Sequence, residues 1–94
     1  MQVSVDFSVN GKVQGVFFRK YTQEKARQLG LYGFVQNNSD GSVSGVLEGD
    51  EPKVDIMMDW LQHTGSPASR IESAKFSEKK IIESSQYKSF DIRR

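Results

Sequence analysis

The sequence predicts an α+β sandwich in which two helices cover one face of an antiparallel sheet. Three observations support this fold class. Apolar and polar residues alternate at the start of the chain, which is typical of a strand with one buried face. Two later segments carry apolar residues at helical spacing, and turn residues separate the remaining short apolar runs. The chain has 94 residues, of which 36% are apolar, and we expect one domain over residues 1–94.

The first strand and the first helix have the clearest patterns. Apolar residues at every second position predict the strand: Val3, Val5, Phe7 and Val9. After a loop that contains glycines, one face of the predicted helix is formed by Phe18, Thr22, Ala26 and Leu29. We expect this helix to begin near Phe18 and to end at Gly30, because glycine tolerates the left-handed conformation that closes many helices.

The rest of the chain predicts a hairpin, a second helix and two more strands. The runs "LYGFVQN" and "SVSGVLEG" flank the turn "NSDG", which predicts an antiparallel hairpin. In "DEPKVDIMMDWLQHTG", Pro52 suits a first helical residue and Gly65 a stop. "RIESAKFSEKKI" predicts a fourth strand, and "YKSFDIRR" a short final one. This order is that of the ferredoxin-like split βαβ fold.

Composition excludes several kinds of site. The chain has no cysteine, so disulfides, thiolate catalysis and cysteine zinc sites are excluded. Its single histidine, His63, cannot anchor a metal alone, and we expect neither a metal nor an organic cofactor. The net charge of +1 gives no strong attraction to nucleic acid or membrane. The alternating start "MQVSVDFSVNG" is unlike a signal or transit peptide, so we expect a cytoplasmic protein.

The stretch "GKVQGVFFR" has the features of an anion site. Gly11 and Gly15 allow successive backbone amides to point into one concavity. The predicted helix adds its unpaired N-terminal amides at the same place, and Arg19 can bond two phosphate oxygens at once. The stretch is neither a Walker loop nor a dinucleotide fingerprint. Because two-glycine turns before helices are common, these residues alone favour a purely structural loop over an anion site.

Two motifs together resemble the paired signatures of the acylphosphatase family: "GKVQGVFFR" and "GFVQNNSDGSVSGVLEG". The resemblance implies a hydrolase that cleaves the carboxyl-phosphate bond of small acyl phosphates without metal or cofactor. It implies that Arg19 binds the phosphoryl group as the catalytic arginine and that Asn37 orients the attacking water. It also implies a phosphate-binding loop formed by the backbone of Gln14, Gly15, Val16, Phe17, Phe18 and Arg19.

The chain departs from the family pattern at two positions. Asn38 stands where the family often has threonine, and Arg94 stands where it often has tyrosine. Both departures leave open how the site is supported. The motifs also leave open which acyl group is used in the cell and which group accepts the final proton.

An acyl phosphate suits a site with so few chemical groups. Its leaving group is a carboxylate, whose conjugate acid has a pKa near ~4, so no general acid is needed. Charge spreads over the phosphoryl oxygens in the transition state, and an arginine with backbone amides can stabilise it. An asparagine can hold water without a charge that repels phosphate.

Two other function classes were considered. One is a non-catalytic module that binds phosphate or carbamoyl phosphate. The other is an RNA-binding module, which shares the ferredoxin-like fold and would use Tyr32 and Phe34 on the sheet, but the RNP1 pattern is absent. We therefore expect a small acyl phosphate as the substrate, no nucleic acid or membrane partner, and a monomer.

Overall fold

A computed structural model describes residues 1–93, and over these residues the fold has six strands and two helices. The elements follow the order β1 (Gln2–Lys12), α1 (Phe18–Gln28), β2 (Tyr32–Asn37), β3 (Val43–Asp50), α2 (Glu51–His63), β4 (Arg70–Phe76), β5 (Lys80–Ile82) and β6 (Phe90–Arg93). The predicted α+β fold class is confirmed. Arg94, one of the two departures from the family pattern, lies outside the described residues.

The strands form one sheet in the order β4-β1-β3-β2-β6, with β5 also paired to β1. β1 lies between β4 and β3 and runs antiparallel to β3, with Val5 opposite Leu47. β2 and β3 form the predicted antiparallel hairpin. β6 joins the outer edge of β2 and runs parallel to it. The sheet is therefore mixed, with one parallel pair added to the antiparallel arrangement that we expected.

The predicted fourth strand, "RIESAKFSEKKI", is divided into two strands. β4 pairs with β1 from Phe7 onward, whereas β5 pairs with Gln2–Ser4. Between them the Ser77 amide donates to the Asp6 carbonyl, and the Asp6 amide donates to Ser77 Oγ, both at 2.9 Å. These two bonds satisfy the β1 backbone where the regular ladder is interrupted.

The core lies between the two helices and one face of the sheet. The buried residues of β1 are those predicted from its alternation: Val3, Val5, Phe7 and Val9. Against them pack Phe18 of α1 and Leu61 of α2, both at most 1% exposed. Full burial of such a side chain contributes about 1.5–3 kcal/mol. Phe18 thus fixes the first turn of α1 against the core immediately beside Arg19.

The C-terminus of α1 ends as the sequence predicts. Gly30 has a φ of +71°, its amide donates to the carbonyl of Arg27 at 3.1 Å, and the amide of Leu31 donates to Ala26 at 2.9 Å. This pair of bonds is the Schellman motif, which requires the left-handed conformation that glycine adopts at little cost. Neither helix within residues 1–93 is long and apolar enough to cross a membrane.

Candidate active site

A pocket of about 370 Å³ lies where the β1–α1 loop meets the ends of β2 and β6. It is lined by Val13, Gly15, Phe17, Phe18, Arg19, Lys20, Asn37 and Ile92. The two residues proposed as catalytic from the motifs, Arg19 and Asn37, therefore share one pocket although they lie on different elements. Of the six loop residues, Gln14 and Val16 are not among the lining residues.

The loop backbone has the conformation of an anion nest. Gly15 has a φ of +73° and Phe17 a φ of +59°, whereas Val16 between them is not in the positive-φ region. Alternation of this kind is the backbone pattern that gathers successive amides around an anion. Within residues 1–93, Phe17 is the single non-glycine residue that has a positive φ. The left-handed conformation costs such a residue about 1–2 kcal/mol. Its side chain is 72% exposed.

The N-terminus of α1 has no acidic group of its own. Phe17 is the N-cap and makes no side-chain capping bond, and the first turn contains no acid. The first amides of a helix lack acceptors within the helix, and they lie at the positive end of its dipole. This end of α1 is therefore suited to hold a bound anion.

Arg19 is half-buried in the first turn of α1 and contacts the last strand. Its Nη1 lies 3.4 Å from the carbonyl oxygen of Arg93, to which it donates. A guanidinium carries five N–H donors in a planar fork, so one bond to β6 can orient the group while other donors face the pocket. This contact with β6 was not predicted from the sequence.

Asn37 is the last residue of β2 and is exposed. Gly33 and Val35 are buried against the helices, and period two places Asn37 on the same face of the sheet. Among the hydrogen bonds within residues 1–93, none involves the Asn37 side chain. Its amide can therefore bind water or substrate in the pocket.

A network of amide side chains joins the loop to the hairpin. Gln14 Nε2 donates to the carbonyls of Asn38 at 2.8 Å and of Ser42 at 2.9 Å. Asn38 Nδ2 in turn donates to the hydroxyls of Ser42 at 2.9 Å and Ser44 at 3.1 Å. The Asn38 amide thus ties the two strands of the hairpin together next to Asn37. Gln14 was predicted to contribute its backbone to the loop, and the hydrogen bonds of its side chain were not predicted.

An acidic residue fixes the turn of the same hairpin. Asp40 Oδ1 accepts from the Ser42 hydroxyl at 2.6 Å and from the Ser42 amide at 2.9 Å. These two hydrogen bonds, the hydroxyl first, hold the pKa of Asp40 below its usual value near 3.8. The carboxylate therefore stabilises the turn while it is charged.

Residues 5–92 match the family model described as Acylphosphatase. The chain belongs to the acylphosphatase family. It is 50% identical over 90 residues to acylphosphatase-2 of Bos taurus, and these cover 96% of this chain and 91% of that protein. Acylphosphatase-1 of Mus musculus is 51% identical over the same shares of both chains.

The solved structures of acylphosphatases agree with this assignment. The crystal structure of an acylphosphatase from Bacillus subtilis matches with a TM-score of 0.89 at 31% identity, and the match covers 100% of both chains. The family resemblance of the two motifs is thereby confirmed. The protein is an acylphosphatase, a hydrolase of acyl phosphates.

The acylphosphatase pocket is positively charged. Within residues 1–93, its lining includes two cationic side chains, Arg19 and Lys20, and no acidic one. Elsewhere in residues 1–93, no three residues of histidine, cysteine, aspartate or glutamate are grouped as metal ligands would be. Three lining residues were not among the predicted site residues: Val13, Lys20 and Ile92. Lys20 directly follows Arg19 in the sequence, and this position could have indicated that Lys20 lies at the pocket.

Proposed function

We propose that this acylphosphatase holds the phosphoryl group with Arg19 and with the backbone amides of Gln14–Arg19, and that Asn37 holds the attacking water. The observation that carries the proposal is the shared pocket, which contains Arg19 and Asn37 beside the nest and the first turn of α1. The guanidinium and the amides stabilise charge on the phosphoryl oxygens as the transition state forms.

The reaction then needs a nucleophile in line with the bond that breaks. The Asn37 amide can accept a hydrogen bond from water and donate one to it, and its neutral side chain does not repel the phosphoryl group. The water oxygen forms a bond to phosphorus, while the bond between phosphorus and the acyl oxygen breaks. The carboxylate leaves with that electron pair, and the proton of the water passes to a phosphate oxygen.

The leaving group accounts for the absence of a general acid from this scheme. A carboxylate with a conjugate-acid pKa near ~4 departs unprotonated, whereas an alkoxide from an alkyl phosphate ester requires protonation or a Lewis acid. We propose that no metal takes part, since Arg19 and the amides neutralise the phosphoryl charge. The enzyme should therefore discriminate by leaving group.

The test compares three substrates under two conditions. Benzoyl phosphate, acetyl phosphate and an alkyl phosphate monoester are supplied to the enzyme with and without excess EDTA. We expect hydrolysis of both acyl phosphates at rates that EDTA does not change, and negligible hydrolysis of the ester. Loss of activity with EDTA would overturn the metal-free scheme. Comparable hydrolysis of the ester would overturn the argument from the leaving group.

The oligomeric state and location are also proposed. The pocket brings together Arg19, Asn37 and residues of the loop from the same chain, so the proposed scheme needs no second subunit and we propose a functional monomer. Sedimentation equilibrium at assay concentrations would test this, and a stable dimer would contradict it. The cytoplasmic location remains a prediction from the sequence, to be tested by cell fractionation.

A further inference from the structure

The pocket contains a cation that the proposed scheme does not use. Lys20 lines the pocket beside Arg19, and it is exposed. Within residues 1–93, the carboxylates that form ion pairs are paired with other residues, His63 and Lys79, and none lies within 4.0 Å of the Lys20 ammonium. Its charge is therefore available to a ligand in the pocket.

The surroundings of Lys20 do not explain a cation at this position. It follows Arg19 in the first turn of α1, where the helix dipole is unfavourable to positive charge, and this turn contains no acid. Glu24 lies four residues further along α1 but is not within ion-pair distance. A lysine that precedes a glutamate at this spacing is also the weaker orientation. An anionic ligand would give the charge a partner.

The Lys20 side chain leaves α1 in a different direction from that of Arg19. Consecutive residues of an α-helix point about 100° apart, so Lys20 and Arg19 extend toward different parts of the pocket. The proposed phosphoryl site is already served by Arg19 and the loop amides. The remaining lining includes the exposed ring of Phe17 and the half-buried Ile92, which suit the carbon skeleton of an acyl group.

We propose that Lys20 selects acyl phosphates whose acyl group carries a second anionic group. This inference rests on the proposed function, because it assumes that the phosphoryl group occupies the site formed by Arg19 and the loop. Phe17 and Ile92 contact the carbon skeleton, and the Lys20 ammonium binds the second anion at the far end. A carboxylate and a phosphate would both meet this requirement.

The experiment uses matched substrates that differ by one charge. Benzoyl phosphate is compared with 3-carboxybenzoyl phosphate and 4-carboxybenzoyl phosphate, which place the carboxylate at two distances from the phosphoryl group. The quantity measured is the preference, defined as kcat/KM for a carboxylated substrate divided by kcat/KM for benzoyl phosphate. Any effect of Lys20 on the shared phosphoryl group cancels in this ratio.

Two variants test the charge, and a third serves as a control. Lys20→Met removes the charge while keeping an unbranched side chain, and Lys20→Glu reverses it. Lys53→Met makes the same change in net charge at an exposed lysine in the first turns of α2, outside the pocket. We expect Lys20→Met to lower the preference by up to about fivefold for at least one carboxylated substrate, the upper end for an exposed ion pair. Lys20→Glu should lower it further, and Lys53→Met should leave it unchanged.

Salt provides an independent measure of the same contact. The preference of the wild-type enzyme should fall as ionic strength rises from 0.01 M to 1 M, because the Debye length shortens from about 30 Å to about 3 Å. The preference of Lys20→Met should depend much less on salt.

The outcomes separate this inference from the proposed function. If the wild-type enzyme hydrolyses benzoyl phosphate but its preference is the same in Lys20→Met, the inference about Lys20 is wrong and the proposed function stands. If Lys53→Met lowers the preference as much as Lys20→Met, the effect comes from net charge and the inference is again wrong. If benzoyl phosphate is not hydrolysed at all, the proposed function itself fails.

Discussion

Gln14 links the phosphate loop to the hairpin that carries Asn37, and replacing it by glutamate should damage both stability and catalysis. The Gln14 side chain donates two hydrogen bonds, to the carbonyls of Asn38 and Ser42. Glutamate has nearly the same shape, but its carboxylate can only accept hydrogen bonds. Gln14→Glu would therefore set an anion against two carbonyl oxygens.

The magnitude follows from the two bonds. A hydrogen bond contributes about 0.5–1.5 kcal/mol net, so the loss of both should lower the free energy of unfolding by about 2 kcal/mol. For a domain of this size each kcal/mol lowers the Tm by about 4–8 °C, which gives a decrease of roughly 8–16 °C. Because the carboxylate repels the two carbonyls, the decrease in Tm for Gln14→Glu should lie at the upper end of this range. Gln14→Ala lacks this repulsion, so its decrease in Tm should be smaller than that of Gln14→Glu.

The catalytic effect should exceed what the stability loss explains. With the loop detached from the hairpin, Asn37 is no longer held at a fixed distance from Arg19, and a misplacement of about 1 Å can cost ~10²-fold in rate. We expect kcat/KM for benzoyl phosphate to fall by up to about this factor at a temperature where the variant is fully folded. The negative charge near an anion site should add to the loss for Gln14→Glu.

The assay is thermal and urea unfolding followed by circular dichroism, combined with steady-state kinetics. Gln62→Glu, which makes the same chemical change at an exposed residue of α2, is the matched control. If Gln14→Glu unfolded at the same urea concentration as Gln62→Glu and kept the parental kcat/KM, the proposed link between loop and hairpin would be refuted.

Three further predictions concern the proposed catalytic residues and the turn beside them. Arg19→Ala should lower kcat/KM by roughly 10³-fold or more and weaken competitive inhibition by phosphate. Arg19→Lys should restore little of this kcat/KM because the planar fork is lost, and full rescue by lysine would contradict this. Asn37→Ala should lower kcat by roughly 10²- to 10³-fold and leave the inhibition constant of phosphate almost unchanged, so a large change in that constant would reverse the assigned roles. Because the folded pKa of Asp40 lies below 3.8, its charge stabilises the fold above that pH and this contribution is lost as the pH falls through the folded pKa. Wild type should therefore unfold at higher urea than Asp40→Asn at pH 6, and the difference should shrink below pH 3.8; a constant difference would contradict it.

The elements with strong local patterns were predicted well, and those that depend on distant partners were not. The alternation of β1, the hairpin and the glycine at the end of α1 are encoded in consecutive residues. The break between β4 and β5 has no glycine or proline to mark it, since the segment reads "FSEKK". It depends on two hydrogen bonds between Ser77 and Asp6 on another strand, which no local pattern records.

The same distinction applies to the pocket. The two motifs predicted that Arg19 and Asn37 act together, and both line the pocket. The contact between Arg19 and β6 could not be predicted, because "YKSFDIRR" indicates a strand but not its neighbour. β6 pairs in parallel with β2, and this pairing brings Ile92 and the Arg93 carbonyl to the site. Parallel partners are joined through long connections, so their pairing leaves no mark in short stretches of sequence.

Phe17 lines the pocket, yet several of its local features are unfavourable to folding. It adopts a left-handed conformation, makes no side-chain capping bond for α1 and exposes 72% of its side chain. Such departures from local preference are expected at functional sites, where activity rather than stability selects the residue. The exposed ring should therefore contribute to binding the acyl group while its backbone costs stability.

Two substitutions of Phe17 separate the backbone cost from the ring. Phe17→Asn and Phe17→Ala both remove the ring, but asparagine tolerates the left-handed region much better than alanine. We expect Phe17→Asn to be more stable than Phe17→Ala by about 1 kcal/mol, which is a Tm higher by about 4–8 °C. Both should raise the KM for benzoyl phosphate more than for acetyl phosphate, because the smaller acyl group offers the ring less surface. Equal Tm values for the two variants would show that the left-handed conformation of Phe17 carries no cost, and an equal rise in both KM values would show that its ring does not contact the acyl group.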